Sequence, residues 1–296
     1  MKTKKINTIL NQEKPDIVIV ADDYFTASIY PLFIKKTFPM ILERHSIIVY
    51  GYKVDTTLKS KIINKTKVLL TCLGAKSYDK VILLSKGATK EWGKLKNIAV
   101  VNNPLTYSPK KVAALENKKV IAVGRYHSVK GFDMLLNIWK EVVHKLPEWE
   151  LDIYGSGGQQ KFLQQIIVDL KLTKSVNLNP PTKNIYDAYN SSSIYAMTSR
   201  SEGFPLVLIE AMSCGIPVIA FDCPNGPKDI ITSSEDGFLI PVGNLDFYVT
   251  KLTSLMQDFE LRVKMGKSGR QNIARLAPQK IMQEWDSIIQ ELILKK

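Results

Sequence analysis

The chain has 296 residues, 41 Lys and Arg against 28 Asp and Glu for a formal net charge of +13, and is 45% hydrophobic with 16 Gly and 14 Pro. That length corresponds to about two domains of roughly 150 residues, and the ordinary composition excludes collagen, coiled coil and a disordered chain. The longest apolar stretches, such as 81–84, fall far short of the roughly 18–20 residues that cross a bilayer, and 1–14 turns polar too soon for a secretory leader, so a cytoplasmic protein is expected.

A charged helix opens the chain, and 16–20, 39–43, 80–85 and 98–103 read as strands. Asp22 and Asp23 read as a helix N-cap and first-turn pair. The segment 103–111, with two prolines, reads as a linker. Alternation then restarts: strand 118–124, helix 131–146, strand 150–155, helix 159–170, strand 175–179, a short helix at 185–189, strand 193–199, helix 205–214, strand 217–221 and a helix start at 225–231. The last fifty residues read as helices. Short apolar runs alternating with amphipathic ones predict βαβ units and parallel sheets, hence two doubly wound α/β domains.

Charge is unevenly spread. Residues 1–108 carry 18 basic and 8 acidic side chains, a net of +10, whereas 109–296 carry 23 and 20, a net of +3. Such asymmetry suits an anionic partner. Nucleic acid is not expected, because Lys outnumbers Arg and no recognition-helix, finger or RNP pattern occurs. An acidic-lipid membrane surface or a phosphate-bearing acceptor fits the charge, and so does a plainly solvated surface. Cys72, Cys214 and Cys223 lack metal-ligand spacing and read as thiols of a reducing compartment. With three histidines in all, no metal site is expected.

Ligands of open parallel sheets bind beyond the carboxyl ends of strands, and three loops there carry suitable chemistry. In 124–131 (GRYHSVKG), Arg125 and Lys130 bracket a turn with glycine at both ends, which suits a diphosphate. In 155–158 (GSGG), Gln160 stands where a dinucleotide fingerprint needs its third glycine, and no acidic partner follows, so NAD is not expected. A tight turn presenting backbone N–H groups to an anion remains. The third stretch, 199–220, holds Glu202 and Glu210 eight positions apart. Pro205 suits a helix's first turn, which would leave the N–H groups of Phe204, Leu206 and Val207 facing negative charge. Glu210, one turn in, can reach the same pocket, where carboxylates suit the hydroxyls of a sugar and a ribose.

These motifs resemble those of the retaining, nucleotide-sugar-dependent glycosyltransferases of group 1 (family four). Glu202 to Glu210 matches the E-x7-E element; Arg125, Lys130 and Gly131 match the GR…KG element; and Glu210, Ala211, Met212, Gly215, Pro217 and Val218 match the tail. The resemblance covers about 80–280. It implies an α/β protein of GT-B architecture, two Rossmann-like domains facing a cleft, with the N-terminal one shortened: 1–108 on the acceptor side, 109–276 binding the nucleotide sugar, and a C-terminal helix, 277–296, packing back towards the first domain.

Carried onto this chain, the resemblance implies that Arg125 and Lys130 hold the donor diphosphate. Glu202 contacts the transferred sugar, with Gly203, Phe204, Pro205 and Leu206 around sugar and phosphate. Glu210 holds the ribose, and the loop near Thr182 faces the base, although Pro180 replaces the glycine usual there. His45 is the candidate first-domain histidine near the sugar, a structural histidine being the other reading. The implied reaction is metal-independent, cofactor-free transfer of a hexose or N-acetylhexosamine, with retention, from a UDP-sugar to a glycan or lipid-linked acceptor of surface polysaccharide at the inner membrane face. A non-catalytic sugar-nucleotide-binding subunit is the alternative that the shortened first domain leaves open.

Overall fold

The computed structural model describes residues 2–21, 25–34, 36–45, 58–93, 95–107, 109 and 111–295; Asp22 and Asp23 lie outside them. Two compact units form, one of 1–103 with 278–296, the other of 104–277.

The first unit is built on four parallel strands in the order β1-β2-β3-β4: Val18–Ala21, Met40–Arg44, Lys80–Leu83 and Ile98–Val100. The fourth is shorter than the predicted 98–103. Beyond it Val101 donates its N–H to Leu83, while the side chain of Asn102 donates to Leu84 O at 2.7 Å, so side-chain bonding replaces the ladder. Helices α1 (Lys2–Glu13), α2 (Phe25–Ser28) and α3 (Leu58–Ala75) belong to this unit. Its core gathers Ala27, Phe38, Met40, Leu42, Val81, Leu83 and Trp92.

The second unit has six parallel strands in the order β10-β9-β8-β5-β6-β7. They are β5 Lys119–Val123, β6 Glu150–Tyr154, β7 Val176–Asn179, β8 Ile194–Met197, β9 Val218–Phe221 and β10 Gly237–Ile240. Strands β8 and β9 are buried along their whole length, as expected where helices cover both faces of a parallel sheet. The covering helices are α4 Phe132–Val143, α5 Gln160–Asp169, α6 Ile185–Asn190, α7 Leu206–Ser213, α8 Pro227–Ile230, α9 Leu245–Gln257 and α10 Phe259–Asn272; α11, Pro278–Leu294, returns to the first unit. From β5 the chain runs outward to β6 and β7, then comes back to β8 on β5's other side. That reversal of strand order opens a crevice above the carboxyl ends of β5 and β8. Among the described residues no helix is long and apolar enough to cross a membrane.

Arg262 of α10 ties the back of this unit together. It is buried, donates to the carbonyls of Leu115, Leu255 and Met256 at 2.7–3.2 Å, and lies 5.4 Å from the ring centres of Trp149 and Phe259. Leu255 and Met256 close α9, where carbonyls lack helical partners. Arg262→Ala strands these acceptors and is expected to lower stability in urea unfolding by about 3 kcal/mol. Arg262→Lys recovers less than half of that, because an ammonium cannot fork across separate carbonyls.

Candidate active site

Backbones approach one another closely above the crevice. After β5 the chain runs through Gly124, Arg125 and Tyr126 into a single 3₁₀ turn at Ser128–Lys130. Tyr126 sews this loop to the 155–158 loop: its N–H donates to Ser156 O at 2.7 Å, its carbonyl accepts from Gln159 N at 3.0 Å, and its hydroxyl reaches Ile153 O and Asn179 O. A β-carbon on Gly155 would stand 1.9 Å from Gly124 O, so only glycine fits. Gly155 N–H donates to Asn179 O of β7, Gln159 N–H to Tyr126 O and Gln160 N–H to Gly157 O. The GSGG turn thus packs against the neighbouring loop, and these three donors are used within the fold.

The second approach joins the 124–131 loop to the end of β8. Gly131 has φ 64°, and a β-carbon there would lie 2.0 Å from Thr198 O. Thr198 Oγ1 donates to Gly131 O at 2.9 Å, and Arg200 N–H to Val129 O at 2.7 Å. The Arg200 fork holds both carboxylate oxygens of Asp133 at 2.8 and 2.6 Å, and its hydrogen bond keeps the Asp133 carboxyl below the usual range. With both backbones fixed, Lys130 Nζ meets Glu202 Oε1 at 2.7 Å, and Ser199 Oγ donates to the same oxygen at 2.5 Å. The paired side chains are only 18% and 10% exposed. At that burial each ion is stable because the other is present.

Glu210 completes the group. It lies in the second turn of α7, half-buried, and Oε2 accepts the Tyr189 hydroxyl at 3.0 Å. Burial raises its carboxyl above the usual range, opposed by the Tyr189 bond. Tyr195, with its phenol 3.5 Å from Val123 O, is buried, and its ring packs edge-on against that of Tyr189, ring centres 6.1 Å apart. Pro205 departs from expectation. It is not the first helical residue but the extended residue before it, φ −75° and ψ 94°, with its carbonyl accepting from Leu208 N. Phe204 consequently lies outside the helix, and the first-turn donors begin at Leu206. The 222–226 loop closes on this segment: Glu202 N–H donates to Pro224 O, and a β-carbon on Gly226 (φ 92°) would lie 2.4 Å from Pro205 Cδ.

Of the residues expected from sequence, Lys130 and Glu202 meet directly, Glu210 is held by Tyr189, and Arg125 sits exposed in the Lys130 loop. Gly203, Phe204, Pro205 and Leu206 connect the two glutamates. Thr182 is exposed in the loop after β7, where Oγ1 accepts from Asn184 N at 3.1 Å. His45 follows β2 in the first unit, its Nε2 3.3 Å from Glu43 Oε1. Sequence reasoning missed Tyr189, Tyr195, Ser199 and the 222–226 loop. Only the last carried a signal, the Asn225-Gly226 dipeptide at a strand end.

Two parallel-sheet α/β units with this crevice define the GT-B glycosyltransferase fold class. Residues 106–272 match the family model for glycosyl transferases group 1, and the chain belongs to that family. It is 33% identical over 97% of its length to an uncharacterized glycosyltransferase of Haemophilus influenzae, spanning 80% of that protein. It is 35% identical over 78% of its length to the amylovoran biosynthesis glycosyltransferase AmsD of Erwinia amylovora, spanning 66% of it. A mutant of TarM from S. aureus, solved with fondaparinux, alpha-GlcNAc-glycerol and UDP, superposes with a TM-score of 0.79 at 23% identity, over 95% of this chain and 57% of TarM. The chain thus spans between about half and four fifths of these proteins.

The raised Glu210 carboxyl carries a pH signature. Because the folded state favours its protonated form, its contribution to stability is full below the unfolded carboxyl range and is lost as pH rises through the folded value. Glu210→Gln cannot ionise, so it is expected to melt higher than wild type near neutral pH, with the difference vanishing by about pH 4; thermal unfolding across pH checks this.

Proposed function

We propose that this chain is a retaining, metal-independent glycosyltransferase that moves a hexose or N-acetylhexosamine from a UDP-sugar to a glycan or lipid-linked acceptor in surface polysaccharide synthesis. The meeting of Lys130 and Glu202, 72 positions apart in sequence, carries this reading. Arg125 and Lys130 take the diphosphate, whose arrival draws Lys130 from Glu202 and frees that carboxylate for the sugar's hydroxyls. Glu210 takes the ribose, and the loop at Thr182 takes the base. AmsD's role in amylovoran biosynthesis and TarM's binding of UDP and alpha-GlcNAc-glycerol support the donor and acceptor classes.

A glycosidase sets two carboxyls across one bond, whereas these two grip different parts of one donor. In the proposed step the acceptor hydroxyl attacks the anomeric carbon from the leaving group's side. The bond to the diphosphate oxygen breaks, and the acceptor's proton passes to that diphosphate. Arg125, Lys130 and the first turn of α7 stabilise the departing charge. His45 keeps the sugar-side role that the resemblance gives it.

A membrane-surface location is supported by α3. It bears four lysines and no carboxylate, yet exposes Ile62, Ile63, Leu69, Leu70 and Leu73, of which Ile62 and Leu69 are 59% and 58% exposed. Aliphatic side chains among cations suit an acidic lipid interface. Leu69→Ser with Leu73→Ser is expected to cut binding to vesicles containing phosphatidylglycerol at least about tenfold; unaltered binding, or none in wild type, refutes the location.

The transferase reading is tested by UDP release from a panel of UDP-sugars, with and without acceptor glycans. Slow hydrolysis of one donor is expected, falling about 10²–10³-fold in Lys130→Ala and Glu202→Ala. UDP binding with no turnover of any donor would instead favour the non-catalytic subunit.

A further inference from the structure

No motif marks Tyr189, yet it is the partner of Glu210. Its side chain, on α6, is 0% exposed, and its hydroxyl donates to Oε2 from the core side. Among the described residues no other group bonds to that carboxylate, so Oε1 is left for a ligand. Tyr195 stacks edge-on behind it, ring centres 6.1 Å apart, and limits where the phenol can go.

We propose that Tyr189 is a positioning residue for donor recognition: gripping Oε2 from inside the core, it fixes the Glu210 rotamer and holds the side chain as an acceptor for the paired hydroxyls of the ribose. The inference rests on the ribose role given to Glu210 above. A neutral carboxyl turns one oxygen into a donor and accepts more weakly, so it holds both hydroxyls less well than a carboxylate does. Burial works against the carboxylate and the Tyr189 bond works for it. The phenol can sustain that bond because burial lifts its own proton loss well above the usual range.

The phenols and thiol around Glu210 are silent in the acid range. Tyr186 of α6 is pushed up to about 12, Cys214 at the end of α7 up to about 11, and Tyr195 of β8 well above its usual value. The nearest charged groups beside them are Arg270 of α10, near Cys214, and Glu202, which is bonded to Lys130.

Two measurements on the intact chain test the proposal: a carbon-13 titration of the Glu210 carboxyl, assigned by its loss in Glu210→Gln, and calorimetry with UDP-glucose, whose phosphates do not titrate between about pH 5 and 8. In Tyr189→Phe the Glu210 midpoint should move up. Affinity should then fall about tenfold more than in wild type at the acid end, and no more than about twofold at pH 8. A role in packing alone would lower affinity equally at every pH. An unmoved midpoint, or a uniform loss of affinity, overturns the inference while leaving the ribose reading intact. Should Glu210→Gln bind UDP-glucose as tightly as wild type, the ribose reading fails, and Tyr189's part in recognition falls with it, whatever the titration shows.

Discussion

The site depends on one backbone contact, the passage of Gly131 beneath the carbonyl of Thr198. No side chain fits there, and the left-handed turn at Gly131 aims the residue before it across the crevice. Lys130 therefore reaches Glu202 from a different loop without a long search through rotamers. The Thr198 hydroxyl and the Arg200 fork on Asp133 keep these two loops from separating, and Tyr126 ties the first of them to the 155–158 loop. Ionic chemistry rests here on a steric fact.

The pairing of Lys130 with Glu202 has a functional logic under the proposed donor reading. Either ion alone at such low exposure would carry a desolvation penalty, and together they hold each other in place. On that reading a diphosphate would compete for the cation and a sugar for the anion, so a ligand bearing both would replace the whole pair at once. A ligand bearing only one would leave an ion without its partner. Discrimination for a sugar linked to a diphosphate would then arise before any shape-fitting of the sugar itself.

Much of this was legible in the chain. The alternation of apolar runs indicated parallel sheets, and the stretch from Ser199 to Ala220 announced both glutamates, because local geometry needs small and cyclic residues at fixed offsets. What escaped was of two kinds. Pro205 shifted by one position, since a proline satisfies the last extended residue as readily as the first helical one. Tyr189 and Tyr195 also escaped, because a phenol's packing is written in periodicity whereas its hydrogen-bond partner on another element is not. The glycines of the GSGG turn signalled a close approach, and the sequence could not say that the next loop makes it.

The return of α11 to the first unit has a consequence for biosynthesis. The second unit is one continuous stretch, complete once Ala277 has emerged, but the first lacks α11 until 278–294 have been made as well. Ile281 and Leu292, both buried, arrive only after the second unit. On a ribosome, where domains ordinarily mature from the amino end, the half of this polypeptide that is made first must wait, with part of its surface uncovered, for the half made second.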